Sequence, residues 1–514
     1  MKKFVSFVFA LILTVLFVSC GSLTTTLSVT STVTTDLTNT TSETTESTTT
    51  MEELNIPENV QVSDNIISFN SVDNAEKYRV SIYDASDQLL GEYNITNGFD
   101  LSLLLSLGEY SLKIKATAKG YLDSTYSELV NFSIIDPDQT NVLEENEMNN
   151  IDYIRWMGRT YYNDLEKATY FYFTASGFEV GFYGTELKVT FKASNYLITG
   201  KRPHIVVLLD GEEDPTKGEL IVLGKETEEV TIVSGLEYGY HTVKVLKRSE
   251  AIDSDTAVTK IETDGYFTDP PKPKSFNLQF IAASSSTGYG NLGSLSDAKT
   301  TVNSDGLRAF AYLTSFLLDS EISIFSASGW GVSRGWNTSG GSISETQNIP
   351  KAFEYIAIDA SNTVFTDGGK WDITNYIPDV IVVNLGTNDF NASGYNSMSD
   401  EDKLALEERF KTDYTNFLVL LNNMYPNAKI IVAYGLMNEQ KLLEAITLEI
   451  ISDANQIFDK EVVHAYEMEG AGTLGNPYGS NYHPNVQTSM NVAADLAEFI
   501  SSITGREVVR EMIE

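Results

Sequence analysis

Short apolar runs that alternate with polar residues fill much of the first half of the chain. Between residues 53 and 137 these runs are IISF, YRVSIYD, EYSLKIKATA and LVNFSI, and Gly, Asn and Asp turns separate them. Alternation with a period of two residues predicts half-buried β-strands. The pattern continues between residues 143 and 268 in ATYFYF, FEVGFYG, ELKVTFK, HIVVLLDG, EEVTIV and HTVKVLKR. The sequence therefore predicts two consecutive β-rich domains.

The pattern changes after the proline-containing segment DPPKPKS, residues 269–275. Apolar runs of strand length (LQFIA, ISIFSA, DVIVVNLG, KIIVAYG and EVVHAYE) now alternate with helical stretches such as DEDKLALEERFKTDYTNFLVLLNNMY and PNVQTSMNVAADLAEFISS. Repeated β-α-β units over residues 275–508 predict an α/β domain whose parallel sheet is covered by helices on both faces. Ligands of such sheets bind beyond the carboxyl ends of the strands, so we expect functional residues directly after the strands.

The N-terminal 52 residues fit neither pattern. MKK precedes the apolar run FVSFVFALILTVLFV, which has the length of a signal-peptide core. LFVSCGS then resembles a bacterial lipobox, so we expect residues 1–19 to be a lipoprotein signal peptide and Cys20 to carry a diacylglyceryl group. The alternatives are an ordinary signal peptide and an uncleaved anchor. All three interpretations predict an extracytoplasmic protein, and the lipobox interpretation predicts a cell-surface lipoprotein. Residues 20–52, rich in Thr and Ser, predict a disordered linker.

Composition limits the partners and cofactors of the chain. Its 514 residues carry a net charge of −36, which repels nucleic acid and anionic lipid headgroups. We therefore expect no nucleic-acid partner and interpret the acidic surface as a cause of solubility. The sole cysteine, Cys20, excludes an intramolecular disulfide. No cluster of His, Asp and Glu has metal-binding spacing, so neither a metal nor another cofactor is expected.

Four residues near strand ends or a helix start could together catalyse an acyl transfer. Ser284 follows LQFIAA, Gly329 follows ISIFSAS, Asn388 follows DVIVVNLGT, and His483 precedes the last helix in NYHPNV. A serine hydroxyl can attack a carbonyl while an imidazole removes its proton, and a glycine N–H and an amide can stabilise the oxyanion. Each residue alone has a plain structural interpretation, as a cap, a turn or a helix start. Their common placement on one sheet favours an esterase site.

A second serine motif is interpreted differently. GVSRG, residues 331–335, matches G-x-S-x-G with Ser333 as the nucleophile, but WNTSGGSIS follows it where that motif requires a helix. We therefore interpret Ser333 as a loop residue. Trp330 and Trp336 flank it, and with Tyr482 they are candidate faces for a sugar ring, although a buried indole is the alternative for each tryptophan. His204, His241 and His464 are interpreted as core or surface residues.

These motifs resemble those of known families. GTND at residues 386–389, with the earlier strand-end serine and the late His-Pro, resembles the SGNH or GDSL hydrolases. IRWMGRTYY, FTASGFEVGFYGTELKVTF, VVLLDGE and GYHTVKVLKRSEA resemble the N-terminal jelly-roll of carbohydrate esterase family 2. NSDGLRAFAYLTSFL and SGWGVSRG resemble the SGNH domain that follows it in that family. The resemblance covers about residues 143 to 505 and implies a jelly-roll over 143–268 and a flavodoxin-like hydrolase over 275–508. Residues 53–137 resemble a fibronectin type III-like sandwich, with Tyr110 as a candidate tyrosine corner.

The resemblance also implies residue roles. The family motif GDSIT falls on residues 282–286, which makes Ser284 the nucleophile and His483 the base, and GYGN at 288–291 fixes this register. Gly329 and Asn388 take the oxyanion positions. Asn481, two residues before the histidine, replaces an aspartate of many relatives, and its amide can accept a hydrogen bond from the ring. Some relatives instead use a Ser-His dyad and a main-chain carbonyl. Asp389 is expected to order the GTND turn.

The sequence thus predicts a monomeric serine esterase that removes O-acetyl groups from polysaccharides of the xylan or mannan type. Its partners would be the acetylated polysaccharide and, through the lipid anchor, a membrane. Ala282 and Ala283 stand where the family has Gly-Asp, and with Asn481 they support the rival hypothesis of a catalytically impaired carbohydrate-binding protein. A third hypothesis keeps the hydrolysis and changes the substrate to lipid or peptidoglycan esters.

Overall fold

The computed structural model describes residues 51–63, 65–106, 108–134, 140–339, 341–391, 395–437 and 441–513. The predicted signal peptide, Cys20 and nearly all of the Thr/Ser-rich linker lie outside the described residues. Among the helices that are described, none combines the length and the apolar character needed to cross a bilayer.

Residues 51–134 form a β unit with a core of its own. Its strands are β1 Gln61–Ser63, β2 Ile66–Ser68, β3 Lys77–Asp84, β4 Leu89–Ile95, β5 Gly108–Thr117 and β6 Val130–Ile134. β4-β3-β5-β6 make an antiparallel sheet, β1 pairs with β2, and Val80 and Ile114 lie in the core between them. The Tyr110 hydroxyl donates to the Ser106 carbonyl at 3.0 Å, the contact expected of a tyrosine corner. The fibronectin type III assignment itself stays a prediction.

Residues 142–268 form two antiparallel sheets of six strands. The strands are β7 Val142–Glu144, β8 Ile154–Met157, β9 Thr160–Asn163, β10 Ala168–Phe171, β11 Gly177–Gly184, β12 Leu187–Ala193, β13 His204–Leu209, β14 Glu219–Val222, β15 Thr227–Val233, β16 Gly239–Lys247, β17 Thr256–Thr263 and β18 Tyr266–Thr268. One sheet contains β15-β12-β17-β10-β9 with β7, and the other contains β14-β13-β16-β11-β18 with β8. Alternate residues of both sheets, such as Val180 and Val189, share a core. The predicted β-rich domain is present, and its jelly-roll topology stays a prediction.

A five-stranded parallel sheet follows, as predicted. Its strands are β19 Asn277–Ala282, β20 Glu321–Ser326, β23 Val380–Asn384, β24 Lys429–Tyr434 and β25 Val463–Glu467, in the order β20-β19-β23-β24-β25. The second strand along the chain lies outside the first, and the others follow on the opposite side. This is the doubly wound order whose switch point, between β19 and β23, opens a crevice for ligands.

Helices cover both faces of this sheet. They are α1 Phe310–Leu317, α2 Ile349–Ala352, α3 Thr387–Asn391, α4 Asp400–Met424, α5 Lys441–Phe458 and α6 Val486–Thr504. Successive strand residues point to opposite faces: Phe280 packs in the core with α1 and α6, and Ile281 in the core with α4 and α5. The antiparallel pair of β21 Tyr355–Ile358 and β22 Val364–Lys370 was not predicted, because VFTDGGK in β22 lacks the apolar alternation of a strand.

The β domain and the parallel-sheet domain share buried cores. Phe173 and Ala251 from the β domain pack in the core of α4 and α5, and Leu246 packs in the core of α1 and α6. The fully buried Arg159 guanidinium donates to the carbonyls of Phe353 and Tyr355 at 2.7 and 2.6 Å. Apolar burial of this kind is the main favourable term in association, so the two domains are held against each other as one packed body.

Candidate active site

The three consecutive serines after β19 have different surroundings. Ser284 is partly exposed, and its Oγ lies 2.7 Å from Nε2 of His483. The Ser285 hydroxyl donates to the side chain of Asn384, and the Ser286 hydroxyl donates to the Ala283 carbonyl. Only the first serine therefore has both access to solvent and an imidazole partner.

The His483 ring is held by a main-chain carbonyl. Its Nδ1 lies 3.0 Å from the Asn481 carbonyl oxygen. Because a carbonyl oxygen only accepts, Nδ1 carries the proton and the Nε2 lone pair faces the Ser284 hydroxyl. Burial lowers the pKa of His483, which favours this neutral, basic form. The expectation that the Asn481 side chain accepts from the ring is wrong, since its amide points to the Tyr289 hydroxyl at 3.4 Å.

Close backbone packing joins the two loops that carry this pair. The Ser480 N–H donates to the Gly290 carbonyl at 2.9 Å. A Cβ on Gly290 would lie 2.4 Å from the Cβ of Ser480, and Gly290 has a φ of +56°. Only glycine allows both this approach and this backbone conformation without strain. The GYGN motif therefore lets the serine loop and the histidine loop approach each other.

Tyr289 is a site residue that the sequence analysis missed. Its ring stacks on the imidazole of His483 with the centroids 4.0 Å apart and the planes inclined by 22°. The Lys299 ammonium lies 5.8 Å from the same tyrosine ring. The aromatic residue inside GYGN was the available signal, because this loop follows the nucleophile position directly.

The pair opens into a pocket of about 720 Å³ that Gly329 and Asn388 also line. Gly329 follows β20 and has a φ of +82°, and its carbonyl accepts from the Trp336 N–H at 2.7 Å. Asn388 is buried and donates one amide hydrogen to the Trp330 carbonyl at 2.7 Å, which leaves its second hydrogen for a ligand. The structure thus brings the four predicted residues to one pocket at the switch point of the sheet.

Comparison with known proteins finds similarity to carbohydrate esterases. Residues 156–271 match the family model "Carbohydrate esterase 2 N-terminal". The cellulase/esterase CelE of Acetivibrio thermocellus is 27% identical over 337 residues, which are 65% of this chain and 37% of that protein. An acetylxylan esterase / glucomannan deacetylase of Cellvibrio japonicus is 22% identical over 352 residues, which are 68% of this chain and 89% of that protein. The chain therefore spans little more than a third of CelE and most of the second relative.

Similar solved structures include family two carbohydrate esterases. A family two carbohydrate esterase from Clostridium thermocellum in complex with cellohexaose has a TM-score of 0.59 and 26% identity, covering 69% of this chain and 100% of that chain. The acetyl xylan esterase Est2A from Butyrivibrio proteoclasticus has a TM-score of 0.59 and 21% identity, covering 71% of this chain and 98% of that chain. The chain is thus similar to family two carbohydrate esterases over about two thirds of its length. The second structure, at its lower identity, adds evidence on the fold alone.

The region that matches the carbohydrate esterase 2 N-terminal model contributes directly to the pocket. Ile252, in the loop between β16 and β17, lines it together with residues of the parallel-sheet domain. The pocket is therefore lined by residues of both domains.

The three predicted aromatic faces separate into two classes. Trp336 is 48% exposed, Tyr482 is 63% exposed, and both line the pocket. The interpretation of Trp330 as a sugar platform is wrong: its indole is 0% exposed and donates to the Asn362 side chain at 2.7 Å. A fully buried ring cannot stack on a ligand, so this tryptophan contributes to the core, as the alternative interpretation had it.

Asp389 orders a different loop from the one expected. Its buried carboxylate accepts from the N–H groups of Val332, Ser333 and Arg334 at 3.0, 2.8 and 3.0 Å. Burial raises the pKa of Asp389 to about 6, against the effect of these three donors. The fully buried Ser333 donates its hydroxyl to Asp413 at 2.6 Å, as expected of a loop residue outside the site.

The other histidines lie away from the pocket. His204 is buried in β13, His241 faces Asp210 at 2.9 Å, and His464 lies in the edge strand β25. Within the part of the chain that the structure describes, no three His, Cys, Asp or Glu side chains are grouped so that they could hold a metal ion.

Proposed function

We propose that this chain is a serine esterase that removes O-acetyl groups from polysaccharides of the xylan or mannan type through an acyl-enzyme. The observation that carries the proposal is the 2.7 Å contact between Ser284 Oγ and His483 Nε2 at the mouth of the switch-point pocket. A nucleophile, a base and two oxyanion donors in one crevice are the groups that acyl transfer requires.

Acylation begins at the acetyl carbonyl carbon. Ser284 Oγ forms the new C–O bond while its proton passes to His483 Nε2. The negative charge that develops on the carbonyl oxygen is stabilised by the Gly329 N–H, the free Asn388 amide hydrogen and the Ser284 N–H. The tetrahedral intermediate then collapses, the bond to the sugar oxygen breaks, and the proton on Nε2 passes to that oxygen. The deacetylated polysaccharide leaves as an alcohol.

Deacylation repeats the same steps with water. His483 removes a proton from water while the water oxygen attacks the acetyl-serine carbonyl. The intermediate then collapses to acetic acid with return of the proton from Nε2 to Ser284 Oγ, and the acid ionises to acetate in solution. The Asn481 carbonyl keeps the proton on Nδ1 in the resting state and accepts a hydrogen bond from the imidazolium in each transition state. A carbonyl dipole can perform this orienting role without a carboxylate.

The substrate class is supported by the relatives and by the rim of the pocket. The similar proteins of known activity include an acetylxylan esterase / glucomannan deacetylase. The exposed faces of Trp336 and Tyr482 are suited to packing on the apolar faces of sugar rings. The pocket is large enough for an acetylated sugar and open enough for the flanking units of a polymer.

The test is release of acetate from 4-nitrophenyl acetate, acetylated glucomannan, acetylated xylan and O-acetylated peptidoglycan. We expect Ser284→Ala and His483→Ala each to lose at least about a thousandfold in kcat. Ser333→Ala, in the competing GVSRG motif, is the matched control and should retain most activity. Equal turnover by all four proteins would overturn the esterase proposal. Binding of the polymers without acetate release would favour the carbohydrate-binding alternative, and preference for peptidoglycan would change the substrate.

We further propose that the protein acts at the cell surface as a monomer, with lipidated Cys20 as its anchor, residues 20–52 as a spacer, and a fibronectin type III-like domain before the jelly-roll and SGNH domains. Support comes from the lipobox-like sequence LFVSCGS and from the sheets described above. Metabolic labelling with a palmitate analogue tests the anchor. Incorporation that Cys20→Ala abolishes is the expected result, and unlabelled protein in the medium would contradict it.

A further inference from the structure

Glu250 is a buried carboxylate of the β domain that contacts the loop after β20. We call this loop, which contains Ser328 and Gly329, the oxyanion loop. Glu250 lies in the loop after β16 and is 2% exposed. Its carboxylate accepts from the Ser328 N–H at 3.1 Å and from the Ser328 hydroxyl at 2.7 and 2.9 Å for its two oxygens. Both backbone and side chain of Ser328, in the parallel-sheet domain, are therefore bound to one group of the other domain.

The charge of Glu250 is balanced inside the protein. The Lys299 ammonium lies 2.7 Å from Glu250 and 2.5 Å from Asp253. Burial alone would raise the pKa of Glu250, but Lys299 and the Ser328 donors hold it below its ordinary value. The group therefore stays ionised at neutral pH. An ionised carboxylate accepts a stronger hydrogen bond from an N–H than a neutral carboxyl group does, so Glu250 restrains Ser328 strongly.

Ser328 is the residue before Gly329, whose N–H is the proposed oxyanion donor. The peptide units on either side of the Ser328–Gly329 peptide are both held by hydrogen bonds. Glu250 binds Ser328, and the Trp336 N–H binds the Gly329 carbonyl at 2.7 Å. With a φ of +82°, Gly329 occupies a conformation that a free loop would populate only in part. The direction of the Gly329 N–H therefore depends on these two contacts.

We propose that Glu250 is a positioning residue that holds the Ser328–Gly329 peptide so that the Gly329 N–H points at the developing oxyanion. This inference rests on the proposed esterase function. It makes catalysis by the parallel-sheet domain dependent on a side chain of the β domain. Both domains, packed together, are therefore required for activity. Glu250 contacts Ser328 and Lys299 and does not line the pocket, so its effect is on the transition state and leaves ground-state binding of the polymer largely unchanged. Its charge also acts on the base, because it raises the pKa of His483 against the effect of burial.

The matched control is Glu321, a second partly buried carboxylate that also joins the two domains. It accepts from the Lys274 N–H at 2.9 Å and from Arg155 at 2.9 Å, and it is absent from the pocket lining. Glu250→Ala and Glu321→Ala each remove a carboxylate with one cation and one N–H partner, and Glu250→Ala also removes the acceptor of the Ser328 hydroxyl. They differ in whether the N–H belongs to the oxyanion loop.

The experiment compares wild type, Glu250→Ala, Glu250→Gln and Glu321→Ala on 4-nitrophenyl acetate, with thermal unfolding of each. We expect Glu250→Ala to lower kcat by about ten- to a hundredfold with KM changed less than about threefold. Glu250→Gln should recover much of the loss, because its amide oxygen can still accept from Ser328. Glu321→Ala should lower only the unfolding temperature. Should Glu250→Ala fail to fold, Ser328→Ala, which removes the hydroxyl contact alone, takes its place.

Amide hydrogen exchange gives a readout that does not need activity. We expect the peptide containing residues 328 and 329 to exchange faster in Glu250→Ala and at the wild-type rate in Glu321→Ala. Unchanged exchange and unchanged kcat in Glu250→Ala would overturn the positioning role, as would an equal loss of kcat in Glu321→Ala. If wild type itself releases no acetate, the esterase proposal fails, and the exchange result still decides whether Glu250 orders the loop.

Discussion

The ring of Tyr289 lies flat against the imidazole of His483, with 4.0 Å between the ring centroids. The base is thereby restrained on its face by an aromatic ring and on its edge by the Asn481 carbonyl at 3.0 Å. Restraint from two directions fixes the ring plane in line with Ser284. Orientation of this kind matters because a misplacement of about 1 Å in a reacting group can cost about a hundredfold in rate.

Removal of the tyrosine ring should therefore impair the base without abolishing it. We expect Tyr289→Leu to lower kcat by roughly tenfold, since the imidazole gains freedom to rotate away from Ser284. Tyr289→Phe keeps the stacked ring and should stay close to wild type. Steady-state kinetics on an aryl acetate make the comparison, and a Phe variant as slow as the Leu variant would show that the hydroxyl, and not the stack, is what matters.

The side chain of Asn481 should be dispensable for catalysis. The His483 ring uses the main-chain oxygen at this position, so Asn481→Ala leaves the acceptor in place. Asn481 has a φ of 48°, which costs alanine about 1 kcal/mol of folding free energy and glycine little. We expect Asn481→Gly to keep kcat within about threefold, and Asn481→Ala to be less stable but similarly active. A loss of activity comparable to that of His483→Ala would contradict the carbonyl role.

The sequence predicted the residues that follow the strands better than it predicted their neighbours. Ser284, Gly329, Asn388 and His483 could be placed because the strand-end rule and the motifs act at specific positions. Trp330 was assigned to the pocket wrongly. Although it directly follows the functional Gly329, its indole packs against β21 and the loop before β22, and the residue types alone do not specify that packing. Asp389 was given the right class of role and the wrong loop.

Contacts between domains were beyond the reach of the sequence. Glu250 and Lys299 lie in loops without a periodic pattern. Glu250 belongs to the stretch GYHTVKVLKRSEA, but the family resemblance of that stretch gave the residue no role. Their pairing arises only when the β domain packs on the parallel sheet. The carbonyl of Asn481 could be named only as an alternative for a related reason: its use depends on the left-handed conformation of residues 481 and 482, which residue types alone do not specify.

Activity should rise with pH through an ionisation below 6.5. Burial depresses the pKa of His483 from its ordinary 6.5, so the neutral base persists to lower pH. As pH falls through this pKa, Nε2 gains a proton and can no longer accept one from Ser284. The chain has only four histidines, so two-dimensional NMR of labelled imidazoles can follow each one, with His483→Ala as the assignment control. His241, whose pKa is raised overall, with Asp210 among the groups that raise it against burial, should titrate above 6.5 in the same spectra.

Replacement of Asp389 by asparagine should loosen the loop that carries Trp336. The amide oxygen can accept from two of the three N–H groups, but the NH₂ group then faces the third donor. Leaving one buried N–H unpaired costs about 1–3 kcal/mol of folding free energy. We expect a lower unfolding temperature for Asp389→Asn. Relative to wild type, its KM should increase more for polysaccharide than for an aryl acetate. Asp367→Asn, at an exposed position of β22, is the control and should change neither.

A methyl group on Gly290 should separate the nucleophile from its base. The new Cβ would lie 2.4 Å from the Cβ of Ser480. This distance is too short for two non-bonded carbon atoms, so the loop bearing His483 must move. We expect Gly290→Ala to lower kcat by at least about tenfold. The variant should also lose a little folding stability, because alanine is strained at a φ of +56°. Gly224→Ala, where a Cβ meets nothing within 4 Å, is the matched control. Adding Ser480→Gly to Gly290→Ala removes the clash and should restore part of the rate. A double variant as slow as the single one would mean that backbone strain at residue 290, and not the approach of the two loops, limits the enzyme.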